Sequence, residues 1–288
     1  MYGLLLLSVL LTTANTGLTK VFQRSVRFDL KTMSMYNLVN ACLACVIFFA
    51  SAGFRIRVNL PTLVYALIYA AVICVNLSAQ ILALALVPVP ITTLMSVAGG
   101  VLIPAVFGVV YYGEPLTWRL VLSVILILTA TALPLSGGMG GVSLKGAAAC
   151  AVMFLLGGAS VILVQLYSRD TGVCDANSFF FLTNLVIALL CLVLVLFLKG
   201  TGGLRALLRL FSPGQLGMIA GKTVLANGCS MLQVPILRQM AASTYAVLNS
   251  SLSLLGSVAL SVFCFREKQS KKGLIAVLLA IAALAANP

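Results

Sequence analysis

The stretch Leu185–Leu198 is apolar at every position, and runs of the same kind recur along the chain. Strands of a membrane barrel would alternate apolar and polar residues. These runs do not, so the fold class they imply is α-helical. An apolar helix of about 20 residues crosses the hydrocarbon core of a bilayer. The chain is 62% hydrophobic and 8% charged, with a mean hydropathy of +1.17. Soluble domains carry roughly 25% charged residues, so lipid is the expected solvent. At about 25–30 residues per helix and loop, the 288 residues hold about ten helices. The reading is an all-α membrane protein with ten transmembrane helices, expected at 2–21, 32–52, 60–86, 91–112, 118–135, 144–167, 176–198, 214–240, 243–265 and 270–286. No basic n-region precedes the first apolar run, so helix 1 is expected to be a permanent anchor.

One pattern occurs twice. An apolar helix, the break Gly113-Glu114-Pro115-Leu116-Thr117 and a second apolar helix recur 153 positions later, where Glu267 and Ser270 match Glu114 and Thr117. Both copies read Glu-x-x-Ser/Thr before a helix, and a hydroxyl there is a good N-cap. The expected organisation is a first five-helix repeat at 1–135, a Gly-rich linker at 136–143 and a second five-helix repeat at 144–288. Five is odd, so the second copy would enter the membrane from the opposite side, giving inverted repeats. Short uncharged joins after helices 3 and 8 fall at matching places. In the link 199–213, Leu204, Leu207, Leu208 and Phe211 predict a short amphipathic piece on the membrane surface.

Of 18 basic residues, 12 fall in the odd-numbered loops and 5 in the even-numbered ones. The positive-inside rule then puts the odd loops in the cytoplasm and both termini outside. The net charge of +13 is explained by membrane-facing charge, with no nucleic acid required. The eight cysteines show no metal-ligand clustering and read as small buried hydrophobes.

With these junctions (Tyr112-Gly113-Glu114-Pro115-Leu116-Thr117 and Phe265-Arg266-Glu267-Lys268-Gln269-Ser270) the chain resembles the drug/metabolite transporter superfamily, in its EamA-like branch. Asn15 and Lys20 keep the spacing of that family's helix 1 pattern, although Thr12 and Thr13 stand in place of its Trp-Gly. The resemblance implies a secondary transporter of small metabolites such as amino acids. Helices 1–4 and 6–9 would surround a central cavity worked by alternating access, with helices 5 and 10 peripheral. Family members usually keep both termini inside, whereas the charge count here places them outside.

A charge within the hydrocarbon is costly, which singles out Lys222, about eight residues into helix 8. Its ammonium either faces the cavity, to bind a carboxylate or phosphate, or snorkels to the interface. Asn15, Asn76, Gln80, Asn227 and Asn249 are the remaining substrate-binding candidates. Asn76 and Gln80 share a helix face, as do Thr12, Asn15 and Thr19. The alternative for all of them is hydrogen bonding between packed helices. Glu114 and Glu267 read as interface or salt-bridge groups.

The five acids all lie outside mid-helix and there is no His. Proton-coupled cation export uses an intramembrane carboxylate, so a drug-cation antiporter is not expected. No catalytic dyad, nucleotide loop or metal site is present in the sequence, so neither enzyme nor cofactor is expected. The expected partners are a small-molecule solute and the lipid bilayer, with a homodimer as one allowed assembly. The expected location is the inner cell membrane, multi-pass. The alternatives are a carrier of organic phosphates or nucleotide-sugars, and a non-transporting membrane scaffold.

Overall fold

A computed structural model describes residues 2–25, 30–87, 89–132, 144–170, 175–197, 211–263 and 271–286. Every element among them is an α-helix. In chain order they are α1 (Tyr2–Ser25), α2 (Leu30–Ser51), α3 (Leu60–Leu86), α4 (Val89–Tyr112), α5 (Trp118–Ala132), α6 (Leu144–Asp170), α7 (Ala176–Phe197), α8 (Pro213–Gln239), α9 (Ala242–Phe263) and α10 (Lys271–Ala286). Each expected span overlaps one of these helices. The Gly-rich linker, Glu267 and Ser270, Leu204, Leu207 and Leu208 lie outside the described residues, as does the side chain of Lys20.

Local chemistry sets the ends. Thr117 Oγ1 accepts from Leu120 N at 3.3 Å, the N-cap its spacing predicts. Ser212 and Gln215 form a reciprocal capping box ahead of α8, with Pro213 at the first helical position. Asp175 caps α7 through Ser178 N at 3.2 Å and Ser178 Oγ at 2.8 Å. At the end of α4, Gly113 takes φ +64°, and Glu114 N donates to Gly108 O at 3.1 Å. That is the left-handed closure glycine permits at a helix C-terminus, and it folds Glu114 back toward the bundle.

Five of the described helices contain windows long and apolar enough to cross a membrane: Ser34–Ser51, Leu60–Gln80, Met95–Tyr112, Leu144–Arg169 and Ala176–Phe197. Shorter apolar helical stretches are Gly3–Thr19, Trp118–Ala130 and Leu274–Ala286. Large aliphatic side chains such as Leu10, Val110, Leu144 and Leu278 are exposed on the outside. That is the surface of an all-α membrane protein.

The main packing pairs are α2 with α7, α4 with α6, α1 with α8, α3 with α6, and α5 with α10. α4 also packs on α9, and α1 on α9. Among the described residues, the strong contacts of α5 and α10 are with each other and with α4 and α9, so this pair sits to one side. Two helices touch through backbone at the α4–α6 crossing. A Cβ on Gly99 would run into Phe154 O, and one on Gly158 into Ile103 and Gly99 O. Small residues at such crossings let helices approach without a hydrophobic drive.

The contacts define two ends of the bundle. Phe22 (α1) meets Tyr36 (α2) and Phe211 ahead of α8, with ring centroids 5.5 and 6.2 Å apart. At the other end Phe48 stacks on Phe180 at 5.3 Å, Asn177 Nδ2 donates to Ser51 O, and Ser243 meets Glu114. These are called the Phe22 face and the Glu114 face. Phe211, expected on the membrane surface, is instead buried at the Phe22 face. Its ring finds aromatic partners there, which bury it more completely than an interface would.

Candidate functional site

Helical spacing builds a polar recess on the Phe22 side. On α1, Thr12 Oγ1 and Ser8 Oγ each lie 3.1 Å from Cys229 Sγ of α8. Thr16, one turn on and on the same face as Thr12, is exposed. On α3, Tyr69, Asn76 and Gln80 share a face. Tyr69 lies within electrostatic reach of Cys229 and Tyr245, while Gln80, nearer the Phe22 face, is exposed. The lipid side of α3 is marked instead by Val64, Ile68, Val75 and Leu82. The inward face of α3 thus becomes exposed toward the Phe22 face, as a recess open at that end requires.

Lys222 is buried where α8 meets α1 and α2. It begins about 14 Å into α8 at 1.5 Å per residue and is 7% exposed. Two residues on, Val224 is exposed to lipid, so Lys222 points the opposite way. It shares a face with Cys229, two turns further along. Its ammonium donates to Tyr36 Oη at 2.9 Å. It also lies 4.8 Å from the Tyr36 ring centre and 5.4 Å from that of Phe22. Beside it Thr223 Oγ1 donates to Asn40 Oδ1 at 2.7 Å. Held this way, the ammonium rests against rings of α1 and α2. Burial of a lysine costs about 2.5–3.5 kcal/mol on insertion scales, and cation–π contacts return roughly 1–2 kcal/mol.

The opposite end is closed. Tyr167 stacks on Phe179 at 4.4 Å, and Tyr69 meets Phe179 at 5.4 Å. Tyr167 Oη donates to Asp175 O at 3.0 Å and lies 3.4 Å from Thr62 Oγ1. Outside this aromatic layer sits a charged clamp. Arg169 Nε donates to Leu237 O at 3.1 Å and Nη2 to Met240 O at 2.6 Å, with its guanidinium 4.8 Å from the Tyr112 ring centre. The Glu114 carboxylate accepts from Ser243 Oγ at 2.5 Å and from Ser243 N at 3.4 Å. A cation thus meets the C-terminus of α8 and an anion the N-terminus of α9, each complementing the helix dipole.

The other expected residues divide. Asn15 Oδ1 and Asn76 Oδ1 are buried with no hydrogen-bond partner among the described residues. Asn249 is half-buried on α9, two turns before Gly256, which abuts Thr13, so it faces α1. Asn227 is buried, with Nδ2 lacking a partner among the described residues. It lies two residues from Cys229, hence roughly on the other side of α8, away from the Lys222–Cys229 stripe.

Sequence reasoning missed Tyr36, Tyr69, Tyr167, Arg169 and Gln165. Gln165 is fully buried and both amide atoms lack a partner among the described residues. The 153-residue offset held one signal: it places Lys222 on Tyr69. A cavity of about 420 Å³ between α4 and α5 is lined by aliphatic side chains such as Leu102, Val110 and Ile125. It lies on the outer surface and carries no group that could orient a solute.

No family model and no curated protein matches the sequence. A crystal structure described only as that of a protein is similar, with TM-score 0.73 and 15% identity, over 98% of this chain and 94% of the other. At that identity the likeness is one of fold.

Proposed function

We propose that the chain is a secondary transporter of small metabolites in the cell membrane, built from two inverted five-helix repeats of the EamA-like kind. The packing supports the repeat. Replacing each helix by the one five positions later turns α1–α8 into α6–α3, α4–α6 into α9–α1 and α3–α7 into α8–α2, and all of these pairs pack. α2–α7, α4–α9 and α5–α10 map onto themselves.

Among the described residues the exchange fails for α5–α9 and α7–α8, whose counterparts α4–α10 and α2–α3 make no comparable contact, and for one further pair that carries the transport reading. α6 packs on α8 at the Glu114 face, but α1 and α3 make no comparable contact among the described residues. A pseudo-two-fold bundle shut at one end and parted at the other is one state of an alternating-access cycle. Rocking one half would part α6 from α8 and bring α1 onto α3. By the charge count, the open end faces the cytoplasm. The recess offers Lys222, Asn15, Asn76 and Gln80, with Thr12 and Thr16, to an incoming solute. These groups suit a neutral, zwitterionic or anionic metabolite.

Exchange in proteoliposomes tests this. Preloaded with a panel of amino acids, organic acids and sugar phosphates, vesicles holding the protein should accumulate at least one labelled solute by counterflow. Folded protein that exchanges none of them would favour the membrane-scaffold reading.

A further inference from the structure

The transporter reading leaves the sign of the solute open, and Lys222 narrows it. Its ammonium has three donors, and the contact to Tyr36 Oη uses one. Among the described residues its other near neighbours are the faces of two rings. The carboxylates with described surroundings, Glu114 and Asp175, belong to the opposite face. The repeat-equivalent position in α3 carries Tyr69, so the charge is confined to the Phe22 side. Phe22 and Phe211, both buried, pack behind it.

We propose that Lys222, Tyr36 and Phe22 form an anion site in the open recess, taking a small organic anion by its carboxylate or phosphate. Tyr36 acts as a placeholder. Its hydroxyl holds the ammonium while the site is empty and yields when a charged acceptor arrives, because charge-assisted hydrogen bonds are the stronger kind. The half-buried Tyr36 ring then packs on the organic part of the ligand. This inference uses the transporter reading only to place the site in the recess, and binding alone tests it.

The measurement is thermal stability of the purified protein in phosphatidylcholine nanodiscs, titrated with benzoate, phenyl phosphate and the uncharged isostere benzamide. At least one of the two anions should stabilise the protein saturably, at a concentration about tenfold lower than benzamide, as expected when a buried donor meets a charged acceptor. Lys222→Gln should abolish that preference, and Lys222→Arg should retain part of it. Tyr36→Phe, which keeps the ring and removes the placeholder, should keep or sharpen it. Equal responses of the wild-type protein to anions and benzamide would overturn the proposal without any variant, and so would an anion preference surviving Lys222→Gln. Metabolite exchange with no anion preference would sink the anion site and leave the transporter standing. Anion binding without exchange would do the reverse.

Discussion

At the residue scale, position decides which small and polar side chains matter. Gly99 and Gly100 are neighbours, yet a Cβ on Gly99 would strike Phe154 O while one on Gly100 meets nothing within 4 Å. Gly99→Ala is therefore expected to destabilise the protein by about 1–3 kcal/mol through overpacking. Gly100→Ala should change stability by less than about 0.5 kcal/mol. Thermal unfolding in detergent separates the two. Lys222 could be read from sequence because a charge in an apolar run is conspicuous. Its partners could not, because Phe22 and Tyr36 look like any other aromatic in a hydrophobic stretch. Tyr36 and Lys222 are also 186 residues apart, and no local pattern predicts such a pair. Gln165 escaped for a different reason: it sits near the end of α6, where a polar residue reads as an interface group.

At the element scale, helix ends were the most legible feature. Apolar runs bounded by Pro, Gly and hydroxyl residues placed α3 at Leu60–Leu86, as found. Glu114 reads from the sequence as an interface or salt-bridge group, and in the structure it bonds Ser243 of α9. Arg169 had counted only as loop charge, because its acceptors are backbone carbonyls of another helix and carbonyls leave no trace in a sequence. Together the two residues clamp both sides of the α8–α9 turn. Ser243→Ala removes one bond of that clamp and should cost about 0.5–2 kcal/mol, as lost N-caps do, measured by thermal unfolding. Arg169→Met removes two bonds and the charge at the α8 C-terminus. It should raise the labelling rate of a cysteine placed at Thr62, which is buried beneath the aromatic layer, when reagent is applied from the Glu114 face. An unchanged rate would show that the aromatic layer closes this end unaided.

At the scale of the whole molecule, the helical membrane class follows from composition and uninterrupted apolar runs, and the likeness to a solved structure extends over 98% of the chain. The proposed repeat is legible in the sequence through a single matched junction. The asymmetry between the two ends is not, because both halves carry similar apolar patterns. That asymmetry is the central claim, and accessibility tests it most directly. In protein whose eight cysteines have been replaced, Gln80→Cys and Thr62→Cys are introduced singly and reconstituted in vesicles of known orientation. A membrane-impermeant maleimide is then applied from each side. The account predicts that Gln80→Cys reacts from the side of the α1–α2 connection and not from the Glu114 side, while Thr62→Cys stays largely unreactive from both. Labelling of Gln80→Cys from neither side, or only from the Glu114 side, would contradict it.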